Sequence, residues 1–219
     1  MRMLCVFKKD RRIRHIGHLD IQRAMMRALR RSTLPVAYSN GFNPHILVSF
    51  ASALATGAWG EREIMDVTMA EDVSAEEFVR KMNEALPPEL KVSRARAIDD
   101  RHPSMTSLTE SAKYRISLYD EGVREKIAKA MTGMMAREEI IATRKTKSAV
   151  GECNIRPWIY EMEMRDGEIW CTLKLTEKES CKPKMLMEAV AKEIGENDLR
   201  YLVGRVGLFG AEGRDLEDL

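Results

Sequence analysis

The sequence lacks any long hydrophobic run. No apolar stretch among its 219 residues approaches the roughly 18 to 20 residues that a transmembrane helix needs. The apolar residues within positions 1–9 form too short a stretch for the core of a signal peptide, and their spacing is typical of a β-strand. With 44% hydrophobic and 32% charged residues, the chain has the composition of a folded protein with a packed core, and we expect it in the cytoplasm.

Cysteine is scarce, with four residues at Cys5, Cys153, Cys171 and Cys181. No two of them have the spacing of a metal-binding knuckle, and there is no Cys-x3-Cys-x2-Cys run. Both absences argue against a zinc ribbon or an iron–sulfur cluster held by this chain alone. We therefore expect no metal and no cofactor. Cys5 and Cys171 lie in strand-like apolar patterns, which predicts buried thiols.

Acidic residues are nearly absent from the first 31 residues, which we call the basic segment. It contains ten lysines and arginines against two acids, a net charge of +8, whereas the whole chain has a net charge of only +2. Such clustering indicates a polyanionic partner, because phosphate backbones bind groups of Lys and Arg through Coulomb attraction and counterion release. The predicted phosphate-binding residues in this segment are Arg11, Arg12, Arg14, Arg23, Arg27 and Arg30. The alternative is a charged loop followed by a solvated helix face.

Hydrophobic periodicity predicts an α+β fold. Residues 1–8 alternate as a strand, and an apolar stripe that includes Ile21, Met25 and Leu29 predicts a helix that begins near His18. Each half of the chain approximates the order strand, helix, strand, strand, helix, strand, which is that of the ferredoxin-like split unit. We therefore predict two tandem ferredoxin-like domains with antiparallel sheets; the alternative is one mixed α+β domain whose sheet runs through both halves. The predicted segments are a first domain at 1–98, a linker at 99–110, a second domain at 111–210 and a frayed acidic tail at 211–219.

A polar, turn-rich stretch follows the basic segment at Tyr38–His45. Its Asn-Gly pair permits a tight turn. Tyr38 and Phe42 offer flat rings for stacking, and Asn43 offers hydrogen-bond donors and acceptors. Unpaired bases of RNA are recognised by this combination of groups, so we predict nucleotide contacts here. The alternative is a self-capping turn in which Phe42 plugs the core.

Three histidines and an aspartate form a second candidate grouping, at His15, His18, Asp20 and His45. Such side chains can bind a metal or transfer protons. If the protein is an enzyme, we predict His18 or His45 as general acid or base, with Asp20 orienting that histidine. The alternative gives each a structural role: Asp20 favours the helix dipole, His18 caps the helix and His45 braces a turn.

A second basic patch is predicted in the C-terminal half of the chain. Its candidate nucleic-acid-binding residues are Arg144, Lys145, Lys147 and Arg156. The alternative is a flexible polar hairpin.

The chain resembles an uncharacterised radical-SAM-linked protein family. The resemblance is densest in residues 8–50. It includes the run Gly-His-Leu-Asp-Ile-Gln-Arg-Ala-Met-Met-Arg-Ala-Leu-Arg-Arg at 17–31 and Tyr-Ser-Asn-Gly-Phe-Asn-Pro-His at 38–45, and it extends to Arg-Lys-Thr-Lys-Ser at 144–148 and Asn-Ile-Arg-Pro at 154–157. Members stand alone or are fused behind a cobalamin-type radical-SAM protein. This chain departs from the family pattern at Gly17, where the family usually has Ser, at His15-Ile16, where it often has Phe-Leu, and at Ile46, where it often has Pro.

The resemblance implies a set of site residues and a partner. The residues that match the family pattern are His18, Asp20, Arg23, Tyr38, Asn43 and His45. His15 falls on a departure and is not carried over. The implied partner is a radical-SAM protein, in a setting of ribosome and RNA-processing genes.

Together the basic segment and the resemblance lead to one functional expectation and two alternatives. The expectation is an RNA-binding accessory protein that presents tRNA or rRNA to a radical-SAM modification enzyme and performs no reaction itself. One alternative is a metal-independent RNA-processing endonuclease, by analogy with the tandem ferredoxin-like nucleases of CRISPR systems. The other is a module that docks onto the radical-SAM subunit without nucleic acid.

Overall fold

The computed structural model describes residues 1–145 and 150–218, and within them the fold is α+β with a mostly antiparallel sheet, as predicted. The described helices are α1 (His18–Arg31), α2 (Ala75–Ala85), α3 (Met105–Leu108), α4 (Arg124–Met135) and α5 (Pro183–Ile194). The described strands are β1 (Arg2–Lys9), β2 (Val48–Phe50), β3 (Trp59–Thr68), β4 (Leu90–Ile98), β5 (Ser111–Leu118), β6 (Ile141–Lys145), β7 (Val150–Asn154), β8 (Ile159–Arg165), β9 (Glu168–Lys174) and β10 (Tyr201–Phe209). None of the described helices is both long and apolar enough to cross a membrane.

The chain divides into two compact units. Unit 1 contains residues 1–109 and the C-terminal stretch that begins at Arg205, and unit 2 contains residues 110–204.

Unit 1 is built around an antiparallel sheet with the strand order β4–β1–β3, in which β2 also pairs with β3. The predicted apolar stripe of α1 is confirmed, since Ile21, Met25 and Leu29 are buried in the core. On α2, Phe78 and Met82 are fully buried in the same core. This packing holds α1 against the sheet by one face and leaves its opposite face in solvent.

The C-terminal segment is anchored, so the prediction of a frayed tail was wrong. Leu216 is completely buried, and its backbone N–H donates to the carbonyl of Leu208. Asp215 and Glu217 both pair with Arg62, at 2.6 and 3.0 Å. A buried leucine and ion pairs with Arg62 therefore fasten a stretch whose acidic composition suggested disorder.

Unit 2 has the strand order β5–β9–β8 and also contains residues 201–204 of β10, and β6 and β7 form a separate antiparallel hairpin. Along β5 and β9 the side chains alternate between buried and partly exposed positions. The apolar faces of α4 and α5 supply further buried residues, including Ile127, Met131, Leu186 and Val190. Cys171 is a buried free thiol, and so is Cys5 in unit 1, as predicted.

Candidate nucleic-acid interface

The loop of the basic segment is held in place by a buried lysine. Lys9 is 2% exposed, and its Nζ donates to the carbonyl oxygens of Arg14, Ile16 and Ala58 at 3.0, 2.9 and 2.9 Å. An ammonium group has three donors, so this side chain has none left for a phosphate. Burial lowers the pKa of Lys9 to about 8. Lys9 thus fixes the loop that carries the arginines.

The arginines of this loop differ in how far they are engaged. Arg12 lies 3.1 Å from Asp10 and 3.5 Å from Glu89. Arg14 donates to the carbonyl of Arg11. Within residues 1–145 and 150–218, neither Arg11 nor Arg14 forms an ion pair. Two of the three predicted loop arginines therefore keep their charge uncompensated by a neighbouring carboxylate.

The exposed face of α1 presents a row of guanidinium groups. Arg23, Arg27 and Arg30 are all exposed and are spaced by four and three residues, which places them on one face. Arg23 pairs with Asp20 at 2.8 Å, with both side chains 61% exposed. Among the described residues, Arg27 and Arg30 have no ion-pair partner. The helix thus offers two free cations beside one weakly paired cation, because exposed ion pairs of this kind contribute little.

The loop at residues 39–45 is closed at its base and open at its tip. The backbone N–H of Ser39 donates to the carbonyl of His45, and the backbone N–H of His45 donates to Ser39 Oγ. Gly41 has a φ of 118°, a conformation that favours glycine. Phe42 is fully exposed, so the alternative in which it plugs the core is wrong. Tyr38 at the base is 47% exposed.

Because the ring of Phe42 lies in water, it adds no burial energy to the stability of the folded protein. Full burial of such a ring would contribute about 1.5–3 kcal/mol. Fully exposed aromatic rings are available for stacking on a base. The geometry of the loop therefore suits a contact with a partner.

His45 is positioned by the same loop. Its Nδ1 lies 2.8 Å from Ser39 Oγ, a hydroxyl that can donate to it. In that arrangement the neutral ring carries its proton on Nε2, the nitrogen not engaged by Ser39. His45 is exposed, so this N–H can serve as a hydrogen-bond donor for a phosphate or a base.

His18 occupies a different environment at the start of α1. Its ring packs edge-on against Phe50 with centroids 5.4 Å apart, and its Nε2 lies 3.0 Å from the side-chain nitrogen of Gln22. The recess that it lines with Lys9 and Glu63 has a free volume of only about 10 Å³, which is room for about one water molecule. A nucleotide does not fit this recess.

Asp20 does not orient His18. Residues two apart on a helix point to different sides, and the carboxylate of Asp20 is engaged by Arg23 instead. The hydrogen-bond partner of His18 is Gln22, and that of His45 is Ser39. The predicted arrangement of a histidine held by an aspartate is therefore absent from the described part of the chain.

A buried ion pair next to the His18 recess escaped the sequence analysis. Arg205 is 1% exposed and binds both carboxylate oxygens of Glu63, with Nε 2.8 Å from Oε1. The same guanidinium also donates to the hydroxyl and the carbonyl of Ser52. The pair ties β10 to β3 and to the residues after β2. The sequence signal was Arg205, the one charged residue in the otherwise apolar pattern of β10.

We expect His18 to titrate below the ordinary histidine value of 6.5. Burial lowers its pKa, the charge of Arg205 and to a smaller extent that of Lys9 lower it further, and Glu63 opposes them. Because the folded pKa is lower, the unfolded chain takes up this proton first as the pH falls. The stability contributed by neutral His18 is therefore present above pH 6.5 and is lost between that pH and the folded pKa.

NMR titration of the imidazole carbons tests this expectation. The same protein unfolded in urea supplies the reference titration. An imidazole of folded His18 that titrates at or above its urea value would contradict the described environment.

The second basic patch is only partly available for binding. Arg144 stacks on Trp158, with its guanidinium carbon 5.7 Å from the ring centroid. Lys147 lies outside the described residues, as does the side chain of Lys145. Arg156 donates from Nε and Nη2 to the carbonyl of Met135, the last residue of α4, and from Nη1 to the carbonyl of Ile159. Arg156 therefore caps a helix, and we remove it from the candidate interface.

Asn154 has a similar structural role. Its Oδ1 accepts from the backbone N–H groups of Ile140 and Arg156, and its Nδ2 donates to the carbonyl of Glu138. The Asn-Ile-Arg-Pro motif thus fastens the β6–β7 hairpin to the end of α4.

A metal site is not formed by the described residues, in which no group of three or more His, Cys, Asp and Glu side chains is arranged to hold an ion.

Comparison with protein-family models assigns the chain to a family. A family model described as "Uncharacterized protein conserved in bacteria (DUF2344)" matches residues 2–192. No curated protein matches the chain significantly. Because the matched region contains the basic segment, the 39–45 loop and most of both units, the chain belongs to the bacterial DUF2344 family.

Proposed function

We propose that this protein is an RNA-binding accessory protein that works with a radical-SAM enzyme modifying tRNA or rRNA. The observation that carries the RNA part is the fully exposed ring of Phe42 on a hydrogen-bonded loop. It occurs in the same unit as the unpaired Arg27 and Arg30 on α1. The radical-SAM part rests on the resemblance of residues 17–31 and 38–45 to the radical-SAM-linked family.

In this proposal the arginines of the basic segment and the 39–45 loop have separate roles in RNA binding. The guanidinium groups of Arg11, Arg27 and Arg30 neutralise backbone phosphates, which supplies affinity without sequence preference. Phe42 stacks on an unpaired base, while Asn43 and the Nε2–H of His45 make hydrogen bonds to a base edge or a phosphate. Contacts of the second kind select single-stranded or looped RNA.

The fold belongs to the same proposal. The strand orders β4–β1–β3–β2 in unit 1 and β5–β9–β8 in unit 2 are both compatible with the order of the ferredoxin-like split unit. We propose that the two units are tandem ferredoxin-like folds, with the β6–β7 hairpin as an insertion in the second. Such sheets leave one face free of helices.

The endonuclease alternative is less well supported. It needs a histidine that reaches the scissile phosphate and a group that orients it. The recess at His18 is too small for a nucleotide, and Asp20 is paired with Arg23. His45 is exposed, but its described side-chain partner is a serine hydroxyl.

A protein-docking role has one observation in its favour. Leu19 at the start of α1 is 64% exposed, and the neighbouring Ile16 is 40% exposed. Exposed apolar side chains of this size are common at protein interfaces. If the partner at the 39–45 loop is a protein, Phe42 contributes by apolar burial and not by stacking.

Substitutions of Phe42 distinguish a role in base stacking from a role in apolar contact with a protein partner. We expect Phe42→Leu and Phe42→Ala to weaken binding of single-stranded RNA by roughly fivefold to a hundredfold, because each removes the flat ring, and we expect Phe42→Trp to retain it. The side chain is fully exposed, so the stability should not change. The measurement is fluorescence anisotropy of a labelled RNA at low salt.

Unchanged RNA binding in Phe42→Ala would contradict the proposed role of the loop. Loss in Phe42→Ala together with full binding in Phe42→Leu would show that apolar contact, not stacking, is what the loop supplies.

A further inference from the structure

Strands β5, β9 and β8 of unit 2 present one buried face and one partly exposed face. On β5 and β9 the residues of one face are buried, among them Tyr114, Ile116 and Leu173. The residues of the other face remain partly exposed: Lys113, Arg115, Ser117, Glu168, Trp170, Thr172 and Lys174. This second face continues onto β8 through Glu161, Glu163 and Arg165, all of which are exposed. A partly exposed tryptophan thus lies among polar neighbours on an open sheet.

The cross-strand register places Trp170 in the middle of this face. Arg115 on β5 lies opposite Trp170, and Glu163 on β8 lies opposite it on the other side. β9 is bordered by β5 and β8, so the ring belongs to an inner strand. An aromatic ring on an inner strand of an antiparallel sheet is a common platform for RNA bases.

Cationic side chains surround the ring. The Nζ of Lys113 lies 6.0 Å from the centroid of Trp170, and the guanidinium carbons of Arg115 and Arg165 lie 5.8 and 5.5 Å away. These cations hold the indole by cation–π attraction. They also put positive charge where the phosphates on either side of a stacked base would lie.

The charge of this face is balanced by carboxylates. Glu163 pairs with Arg165, and Glu168 lies 3.7 Å from Arg115. Glu161 lies 4.0 Å from Lys113. A face with so little net charge does not attract phosphate over a distance. Whatever binds here must gain most of its affinity from the ring, which distinguishes this face from the basic face of α1.

We propose that the open face of unit 2 is a second RNA site, in which an unpaired base of single-stranded RNA stacks on Trp170. Arg165 is 54% exposed, so its side chain can swing away from the ring when the base arrives. Its guanidinium then reaches a flanking phosphate, while Arg115 stays beside the indole. The proposal rests on the RNA-binding function proposed above and adds a site that recognises unpaired bases with little dependence on salt.

Variants of Trp170 test the proposal by affinity. The probe is a single-stranded RNA of about eight nucleotides, compared with a hairpin whose bases are all paired. In the Phe42→Ala background, which removes the stacking ring of the first site, we expect Trp170→Leu to weaken binding of the single strand roughly fivefold to a hundredfold and to leave binding of the hairpin unchanged. Trp170→Phe keeps a stacking ring and should keep most of the affinity. Both replacements are apolar, and circular dichroism verifies that both variants are folded.

Tryptophan emission supplies the second readout. The single strand should quench the emission of the wild type, and the quenching should disappear in Trp170→Phe although this variant still binds. It should persist at low salt in Arg27→Glu/Arg30→Glu, because the two sites are independent.

The outcomes separate this site from the proposed function. Salt-sensitive RNA binding by the wild type, together with equal affinity of Phe42→Ala and Phe42→Ala/Trp170→Leu for the single strand, would overturn the second site and leave the first. Absence of any RNA binding would overturn both.

Discussion

Replacing Arg205 by methionine is expected to lower the free energy of unfolding by about 3–5 kcal/mol, because the change leaves the carboxylate of Glu63 buried without its charged partner. Glu63 is 3% exposed and Arg205 1% exposed. The substitution also removes the donors to Ser52. Urea unfolding, with the midpoint and slope read separately, measures the loss.

Two further variants make this a test of the pair. The double variant Arg205→Met/Glu63→Leu should recover most of the stability, since replacing both charges of a buried pair by apolar residues is often neutral or stabilising. Arg80→Met removes an ion pair with Glu84 in which the side chains are 60% and 62% exposed, and it should cost no more than about 1 kcal/mol. A loss below about 1 kcal/mol in Arg205→Met itself would mean that Glu63 is not buried as described.

Reversing two charges on α1 is expected to have the largest effect on RNA binding. Arg27→Glu/Arg30→Glu should weaken RNA binding by at least tenfold at about 50 mM salt and reduce the slope of log affinity against log salt by about two, close to one for each lost phosphate contact. Neither residue has an ion pair in the described part of the chain, so the fold should be unaffected. A gel titration at several salt concentrations measures both quantities.

The chain offers a matched control for this variant. Lys126 and Lys129 are exposed on α4 with the same spacing of three residues, and Lys126→Glu/Lys129→Glu changes the net charge equally. If both double variants lose affinity to the same extent, only the total charge matters and the face of α1 has no special role. If neither loses affinity, RNA does not contact α1.

Local patterns predicted the helices and strands well because local physics determines them. The stripe that contains Ile21 and Met25 has the period of a helix and is buried on one face. The side chain of Ser74 accepts from the backbone N–H of Glu77 and so caps the start of α2, as expected where Ser is followed three residues later by Glu. Pro183 begins α5.

The parts that were missed depend on residues far apart in the chain. In the sequence, Lys9 is one more cation of the basic segment. In the fold, its ammonium group is buried and donates to three carbonyls, one of which belongs to the distant Ala58. The sequence predicted that Arg156 binds phosphate, but its guanidinium donates to the backbone carbonyl of Met135. Glu63 and Arg205 meet across 142 positions. Composition shows where charge is abundant, and only the fold shows which charges are already satisfied.

The alternative roles of Phe42 could not be separated from the sequence for a related reason. A turn-rich stretch with one aromatic residue can fold over its ring or leave it in solvent, and the turn formers are the same in both cases. The bonds between Ser39 and His45 close the loop without the ring. The ring of Phe42 therefore stays in solvent, where a binding partner can contact it.

The most direct test of RNA binding is a gel titration of the purified wild-type protein into total small RNA at about 50 and 200 mM salt, a range over which phosphate-driven binding falls steeply. The proposal predicts a shift of intact RNA at the lower salt that weakens strongly at the higher salt. Absence of a shift at both concentrations would contradict it and would leave the arginine face of α1 as a surface for a protein partner.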